Sequence, residues 1–232
     1  MGQTLVRLVK EDPQFELVAV LDRGDPVAAL AAYPGAVAID FSTPAGTRAL
    51  AEIAPSAGVG IVCGTTGLDA AASEALEAAS QHVAVFTAAN MSIGVHVLGV
   101  LIERAVAMLG PTFDIEIVEA HHRRKVDAPS GTALKLASIA QAARGGGSLV
   151  HGRQPAMREA RSSDEIGMHA VRGGDVIGDH TLHLLGDGER LELTHRATSR
   201  DLFAHGALRA AQWLAAQSPG HYGMGNLLAG SL

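Results

Sequence analysis

The chain has 232 residues, 47% of them hydrophobic and 3% aromatic, enough for one large or two small packed domains with a well-filled core. Its formal charge of -6 lacks the basic surplus of a general nucleic-acid binder, and no apolar run approaches the roughly 20 residues of a membrane span, so a cytoplasmic, soluble protein is expected. A single cysteine, Cys63, excludes an intramolecular disulfide framework and a cysteine cluster for zinc, and beside Ile61 and Val62 it reads as a small buried hydrophobe.

An amphipathic stretch at about 3–10 reads as a helix with no strand before it. Short Val/Ile-rich runs then alternate with Ala/Leu-rich helical stretches, the rhythm of βαβ units on a parallel sheet. Strands are expected at 15–21, 36–41, 59–63 and 83–87, and helices at 44–56 and 69–80. Ser42 or Thr43 and Asp69 serve as caps, and Pro44 suits a first turn. A helix at 92–109 follows Asn90-Met91-Ser92. The alternating run at 113–120 is a further strand, then come a polar loop and a helix from about 131 to 143. Residues 168–198 hold two or three strands, with Gly173-Gly174 and Asp187-Gly188 as turns, so a second sheet with helices on one face is expected. The helical stretch 201–216 has no neighbour in sequence and is expected to return to the first domain.

The densest chemistry runs from Glu119 to Thr132, with two imidazoles and three cations in a loop after a strand, then Pro129-Ser130-Gly131-Thr132 opening a helix. Adjacent His121 and His122 make a poor metal pair, because a strand sends neighbours to opposite faces and no third ligand is near; no metal is expected. Ser130 is a good N-cap, and the amides of Gly131 and Thr132 at a helix start suit a carboxylate or phosphate. Arg123, Arg124 and Lys125 would strengthen that site, so an anionic substrate is expected. Asp22, at the end of the expected second strand, is placed for ribose hydroxyls and Arg23 for an extra phosphate, a pair compatible with NADH or NADPH; an exposed acid–arginine turn would look identical. His183 and His195 read as ordinary sheet histidines.

Residues 119–133 resemble, without a gap, the signature of the 4-hydroxy-tetrahydrodipicolinate reductase (dihydrodipicolinate reductase) family. Further similar blocks follow in order: Asp40-Phe41-Ser42 with Pro44 and Gly46, Gly64-Thr65-Thr66-Gly67, Ala88-Ala89-Asn90-Met91-Ser92-Ile93-Gly94, Ala170 to Asp175, and Thr194 to Ala197 with Ser199-Arg200. The resemblance implies a Rossmann-like parallel-sheet domain, 1–91 with 201–232, and an α+β substrate-binding and tetramerisation domain with a mixed sheet, 92–200. It implies hydride delivery from NADH or NADPH to C4 of a conjugated imine after the 4-hydroxyl leaves as water, with a proton added at C3, in lysine biosynthesis. His121 and Lys125 match the catalytic pair, His122 a substrate contact, and Ser130, Gly131 and Thr132 the cradle of a small dicarboxylate. Gly64, Thr65, Thr66, Ala88, Ala89, Asn90 and Met91 match loops around the nicotinamide end. A homotetramer is implied; nucleic acid and membrane are not.

Three features depart from the pattern. Family members open with a strand and a Gly-x-x-Gly-Arg-Met-Gly loop, of which only Met1 and Gly2 correspond, and a misplaced gene start or a fragmentary record is the expected cause. The chain as written is then expected to bind cofactor poorly, and a non-catalytic remnant acting as an oligomerising or binding module is the rival reading. The 17 residues between Asp22 and Asp40 are fewer than in many relatives, and Tyr222-Gly223-Met224 matches the family's ending only loosely.

Overall fold

The computed structural model describes residues 1–154, 157 and 159–229; residues 230–232 of the expected first-domain segment lie outside these. The chain forms two compact units, Met1–Ile93 with Asp201–Leu232, and Gly94–Arg200.

In the first unit, strands β1 (Val37–Asp40), β2 (Gly60–Cys63), β3 (Ala84–Thr87) and β9 (Gly220–Tyr222) form a parallel sheet in the order β1-β2-β3-β9. Alternation along the strands sends Ile61, Cys63 and Val85 to one face and Val62 and Phe86 to the other, so both faces need cover. Helices α2 (Pro44–Ala57) and α3 (Ala70–Ser80) cover the first through Leu50, Ala54 and Leu76. Helices α1 (Gly2–Glu11) and α6 (Asp201–Leu214) cover the second through Leu5, Leu8, Ala207 and Leu214. Thr43 caps α2 by accepting from the Gly46 amide, and Asp69 caps α3 by accepting from that of Ala72. Gly206 lies so close to the Met91 carbonyl that any Cβ would collide with it.

Residues 15–21 are not a strand. A strand exists by pairing, and this segment forms no ladder; Leu17, Val18, Val20 and Leu21 are 37–59% exposed. The short strand β9 and helix α7 (Met224–Ala229) were not legible in the sequence: three residues carry no periodicity, and β9 is held by β3 and by edge contacts of Trp213 with Phe86 and Tyr222.

In the second unit, β4 (Asp114–His121), β5 (Ser148–His151), β6 (Glu165–Arg172), β7 (Gly178–Gly186) and β8 (Glu189–Ala197) form a mixed sheet in the order β5-β6-β4-β7-β8. β4 runs parallel to β6 and antiparallel to β7. Its inner face, Ile115, Ile117, Ile166, Leu182 and Leu184, packs on Leu98, Ile102 and Val106 of α4 (Ile93–Leu109) and Leu136 of α5 (Gly131–Arg144). The other face, with Val118, Val171, Thr181 and Thr194, is only half-buried or exposed. The fold class is that expected: a Rossmann-like parallel sheet and an α+β unit with a mixed sheet. One composition-based expectation is corrected. Ile93–Thr112 is helical over 20 residues with mean hydropathy 1.7, long and apolar enough by composition to cross a bilayer. Glu103 and Arg104 interrupt the apolar run in sequence without lowering its average, and one side of the helix supplies the core residues Leu98, Ile102 and Val106.

Candidate active site

The inner row of β4 changes character along its length, from Ile115 and Ile117 to Glu119 and His121, as the strand leaves the apolar core. Glu119 is 1% exposed and His121 8%. Two residues apart on one strand, they share a face, and the His121 Nδ1 lies 2.6 Å from Glu119 Oε2. Arg172, paired in register with His121, forks onto the same carboxylate, Nη1 to Oε2 at 2.8 Å and Nη2 to Oε1 at 2.7 Å. The Ser130 amide donates to Oε1 at 3.1 Å. Burial pushes the Glu119 carboxyl up, but the hydrogen bonds from Arg172, His121 and Ser130 outweigh it and hold the group below the usual carboxylate range.

Opposite Glu119 in register stands His180, 4% exposed. Its Nε2 is 3.1 Å from Ser130 Oγ, and its ring meets His121 edge-on with centroids 5.2 Å apart. Burial, then the charge of His121, push its imidazole down to about 4. Ser130 Oγ also accepts from the Ala133 amide at 3.2 Å and so caps α5. Gly131 opens that helix with nothing within 4 Å of where a Cβ would stand, leaving room before its first-turn amides.

The loop between β4 and α5 holds the cations. Lys125 Nζ lies 2.9 Å from Asp127 Oδ2, while Arg123 and Arg124 are exposed. The Lys125 hydrogen bond holds the Asp127 carboxyl below its usual range. His122 Nε2 is 3.3 Å from Arg200 Nη2; limited burial and the charges of Arg124 and Arg200 push its imidazole down. His121, Lys125, His122, Ser130, Gly131 and Thr132 thus lie on one continuous β4–loop–α5 segment. His195 pairs opposite His180, and His183 lies 3.6 Å from Glu192. Among the described residues, no group of three or more His, Cys, Asp or Glu is placed to hold a metal. Sequence reasoning singled out neither Glu119 and Arg172 as partners nor His180 at all. The i, i+2 spacing of Glu119 and His121 was the available signal; the other two reach the site only through strand register.

In the first unit, Gly64-Thr65-Thr66 and Ala88-Ala89-Asn90 follow the adjacent strands β2 and β3 at the carboxyl edge of the sheet, where nucleotides bind in open α/β folds, and the Ala88 amide donates to the Cys63 carbonyl at 3.1 Å. Thr65 is partly structural: its hydroxyl donates to buried Asp40 at 3.0 Å and accepts from the Ser42 amide at 2.9 Å. Gly64 sits against the Phe41 ring, where a Cβ would approach Cζ to 2.6 Å. Thr66 and Ala89 are exposed. Met91 turns its side chain into the core, 1% exposed, so only its backbone is available to a cofactor. Asp22 does not end a strand; it lies in an exposed turn where its Oδ1 accepts from the Arg23 amide at 2.7 Å. Cys63 is buried as expected, and burial pushes its thiol up. The two sheet-edge loops and the start of α1, which has no side-chain cap, fit a dinucleotide.

Comparison with known proteins gives one answer for both units. Residues 1–91 match the family described as dihydrodipicolinate reductase, N-terminus, and residues 94–228 match dihydrodipicolinate reductase, C-terminus. The chain is 44% identical to the 4-hydroxy-tetrahydrodipicolinate reductase of Nitratidesulfovibrio vulgaris strain Miyazaki F, over 95% of this chain and 92% of the relative. With the enzyme of that name from Halorhodospira halophila it shares 42% identity over 98% and 94%. A dipicolinate-bound dihydrodipicolinate reductase from Paenisporosarcina sp. TG-14 superposes with a TM-score of 0.78 at 25% identity, covering 97% of this chain and 94% of that one.

Proposed function

Since the chain belongs to the dihydrodipicolinate reductase family, we infer that it reduces 4-hydroxy-tetrahydrodipicolinate, by way of dihydrodipicolinate, to tetrahydrodipicolinate with NADH or NADPH in lysine and diaminopimelate biosynthesis. The observation that carries this reading is the β4–loop–α5 segment, which joins a buried imidazole to a helix start and a cationic loop. The dipicolinate in the Paenisporosarcina structure fits a small dicarboxylate substrate.

NADH or NADPH, when bound, supplies the hydride. The chain's own residues then have three tasks. His121, with Nδ1 engaged by Glu119, has Nε2 left to give the proton that C3 of the ring acquires. Lys125 is the cation that offsets negative charge developing on the ring, and it exchanges its Asp127 contact for that role. The start of α5, with Ser130, Gly131 and Thr132, takes one ring carboxylate, and His122 beside Arg200 contacts the substrate. The first unit is the dinucleotide domain: the loops at Gly64–Thr66 and Ala88–Asn90 take the nicotinamide end, and the Asp22–Arg23 turn takes the adenosine end. The second unit carries substrate and assembly. Its uncovered sheet face supports a homotetramer, and a biosynthetic role supports a cytoplasmic setting.

The test uses the purified chain, freshly generated dihydrodipicolinate and NADH or NADPH, followed by loss of nicotinamide absorbance. Substrate-dependent oxidation is expected; its absence with both cofactors would overturn the reading in favour of a non-catalytic binding module.

A further inference from the structure

We propose that Glu119 is a positioning residue that fixes which nitrogen of His121 carries the transferable proton and ties that imidazole to the carboxylate-binding start of α5. The inference rests on reading His121 as the proton donor.

The row Ile115, Ile117, Glu119 runs out of the apolar core with its burial unbroken, so the third position is a buried carboxylate where burial alone would favour an aliphatic side chain. A carboxylate 1% exposed is costly unless fully paired, and removing one partner from such a pair is strongly destabilising. Glu119 has four contacts, none of which serves sheet pairing or core filling: His121 Nδ1, two from Arg172, and the Ser130 amide. A carboxylate held in its charged form accepts and does not donate, so Nδ1 of His121 keeps its hydrogen in both charge states. When Nε2 gives its proton to the ring carbon, the N–H bond breaks, the C–H bond forms, and a neutral imidazole with Nδ1–H remains on Glu119. The other oxygen grips the Ser130 amide, and Ser130 caps α5. One side chain thereby sets the acid and the carboxylate cradle in a common frame, the second-layer anchoring that a site with little positional tolerance requires.

The groups facing His121 divide by element. Glu119 comes from its own strand, Arg172 from β6 through Glu119, and His180 from β7, while His122 and the Lys125–Asp127 pair belong to the loop that follows. Arg172 compensates the buried carboxylate through both of its oxygens. His180 is uncharged near neutral pH, its imidazole pushed down to about 4 by burial and by His121. Glu119 and Arg172 carry opposite charges, but only Glu119 bonds to the His121 ring, so the tautomer is the readout that separates their roles.

The test compares the chain with Glu119→Gln and Arg172→Gln, following the ring nitrogens of ¹⁵N-labelled histidine by NMR and the pH profile of kcat/KM. Expected for Glu119→Gln is loss of the single Nδ1–H tautomer of His121 and an alkaline limb moved to lower pH by about one unit or more. Arg172→Gln is expected to keep the tautomer and move the limb the other way. Glu119→Asp, which keeps the charge on a shorter arm, should restore the limb while KM stays raised, because the shorter arm releases Ser130. An unchanged tautomer in Glu119→Gln, or rate losses uniform across pH in both Gln variants, overturns the proposal. Should Glu119→Gln not fold by circular dichroism, Glu119→Asp and Arg172→Gln decide it. A His121→Ala variant with full turnover would remove His121 from the chemistry, and the tautomer measurement would still judge Glu119 by itself.

Discussion

A neutral imidazole sealed beside His121 makes His180 a pH sensor for folding. Its value near 4 lies below the ordinary 6.5, so in that window the unfolded chain binds a proton the folded one refuses. The stability His180 contributes is complete above about 6.5 and is lost as pH falls toward 4, on the order of 3 kcal/mol. The depressed Glu119 carboxyl loses its contribution in the same direction, at lower pH, as the carboxylate takes up a proton. Thermal melts between pH 7 and 4 should therefore steepen downward, and His180→Gln should flatten the upper part of that slope; an unaltered slope would show that His180 does not set it. On the chemical side, His121→Ala and Lys125→Ala should each lower kcat by roughly 10²- to 10⁴-fold. Turnover within a factor of about two of the parent in either variant would exclude that residue. His121 and Lys125 were readable from the sequence because their motif is contiguous. His180 was not, because it lies 59 positions from His121 and reaches it only through strand pairing.

Among the elements, α5 shows a local signal and a tertiary one coinciding. Ser130 caps the helix by ordinary rules, yet its amide and hydroxyl are also held by Glu119 and His180. Ser130→Ala should lower stability by about 1 kcal/mol, a fall of about 3–6 °C in Tm, and should raise KM for the dicarboxylate substrate. Asp69→Ala, at the cap of α3, should cost a comparable amount and leave that KM unchanged. Equal KM effects from the two would mean that capping alone explains Ser130. The segment 15–21 shows the reverse case, where alternation suggested a strand but no neighbouring backbone completes it. Alternation describes a face, and pairing makes the element. The helix expected at 92–109 after Asn90-Met91-Ser92 forms at Ile93–Leu109, and Glu103 and Arg104 break its apolar run without removing its apolar average.

At the level of the whole molecule, the two sheets meet different fates. Sheet β1-β2-β3-β9 has helices on both faces, whereas among the described residues of the second unit the helices α4 and α5 pack on the inner face of β5-β6-β4-β7-β8 alone. The outer face mixes Val118, Val171, Thr181 and Thr194 with the ion pairs Glu116–His169 at 2.7 Å and Glu116–Arg161 at 2.9 Å. Such a surface suits pairing with another copy better than exposure to water. Val171, near the end of β6, is 50% exposed on that face, and if the proposed tetramer forms there, Val171→Asp should reduce the sedimenting mass while leaving the circular dichroism spectrum intact. A parent chain that sediments as a single copy would remove the tetramer.

The sequence by itself determined helices α1 to α6, strands β1 to β4 and the contiguous segment from Glu119 to Thr132, because capping, turn chemistry and alternation act over a few neighbouring residues. Only the tertiary structure decided that Arg172 and His180 close around Glu119, that Met91 belongs to the core, and that 15–21 remains unpaired. Those outcomes depend on register and burial between distant segments, and a linear pattern holds no record of either.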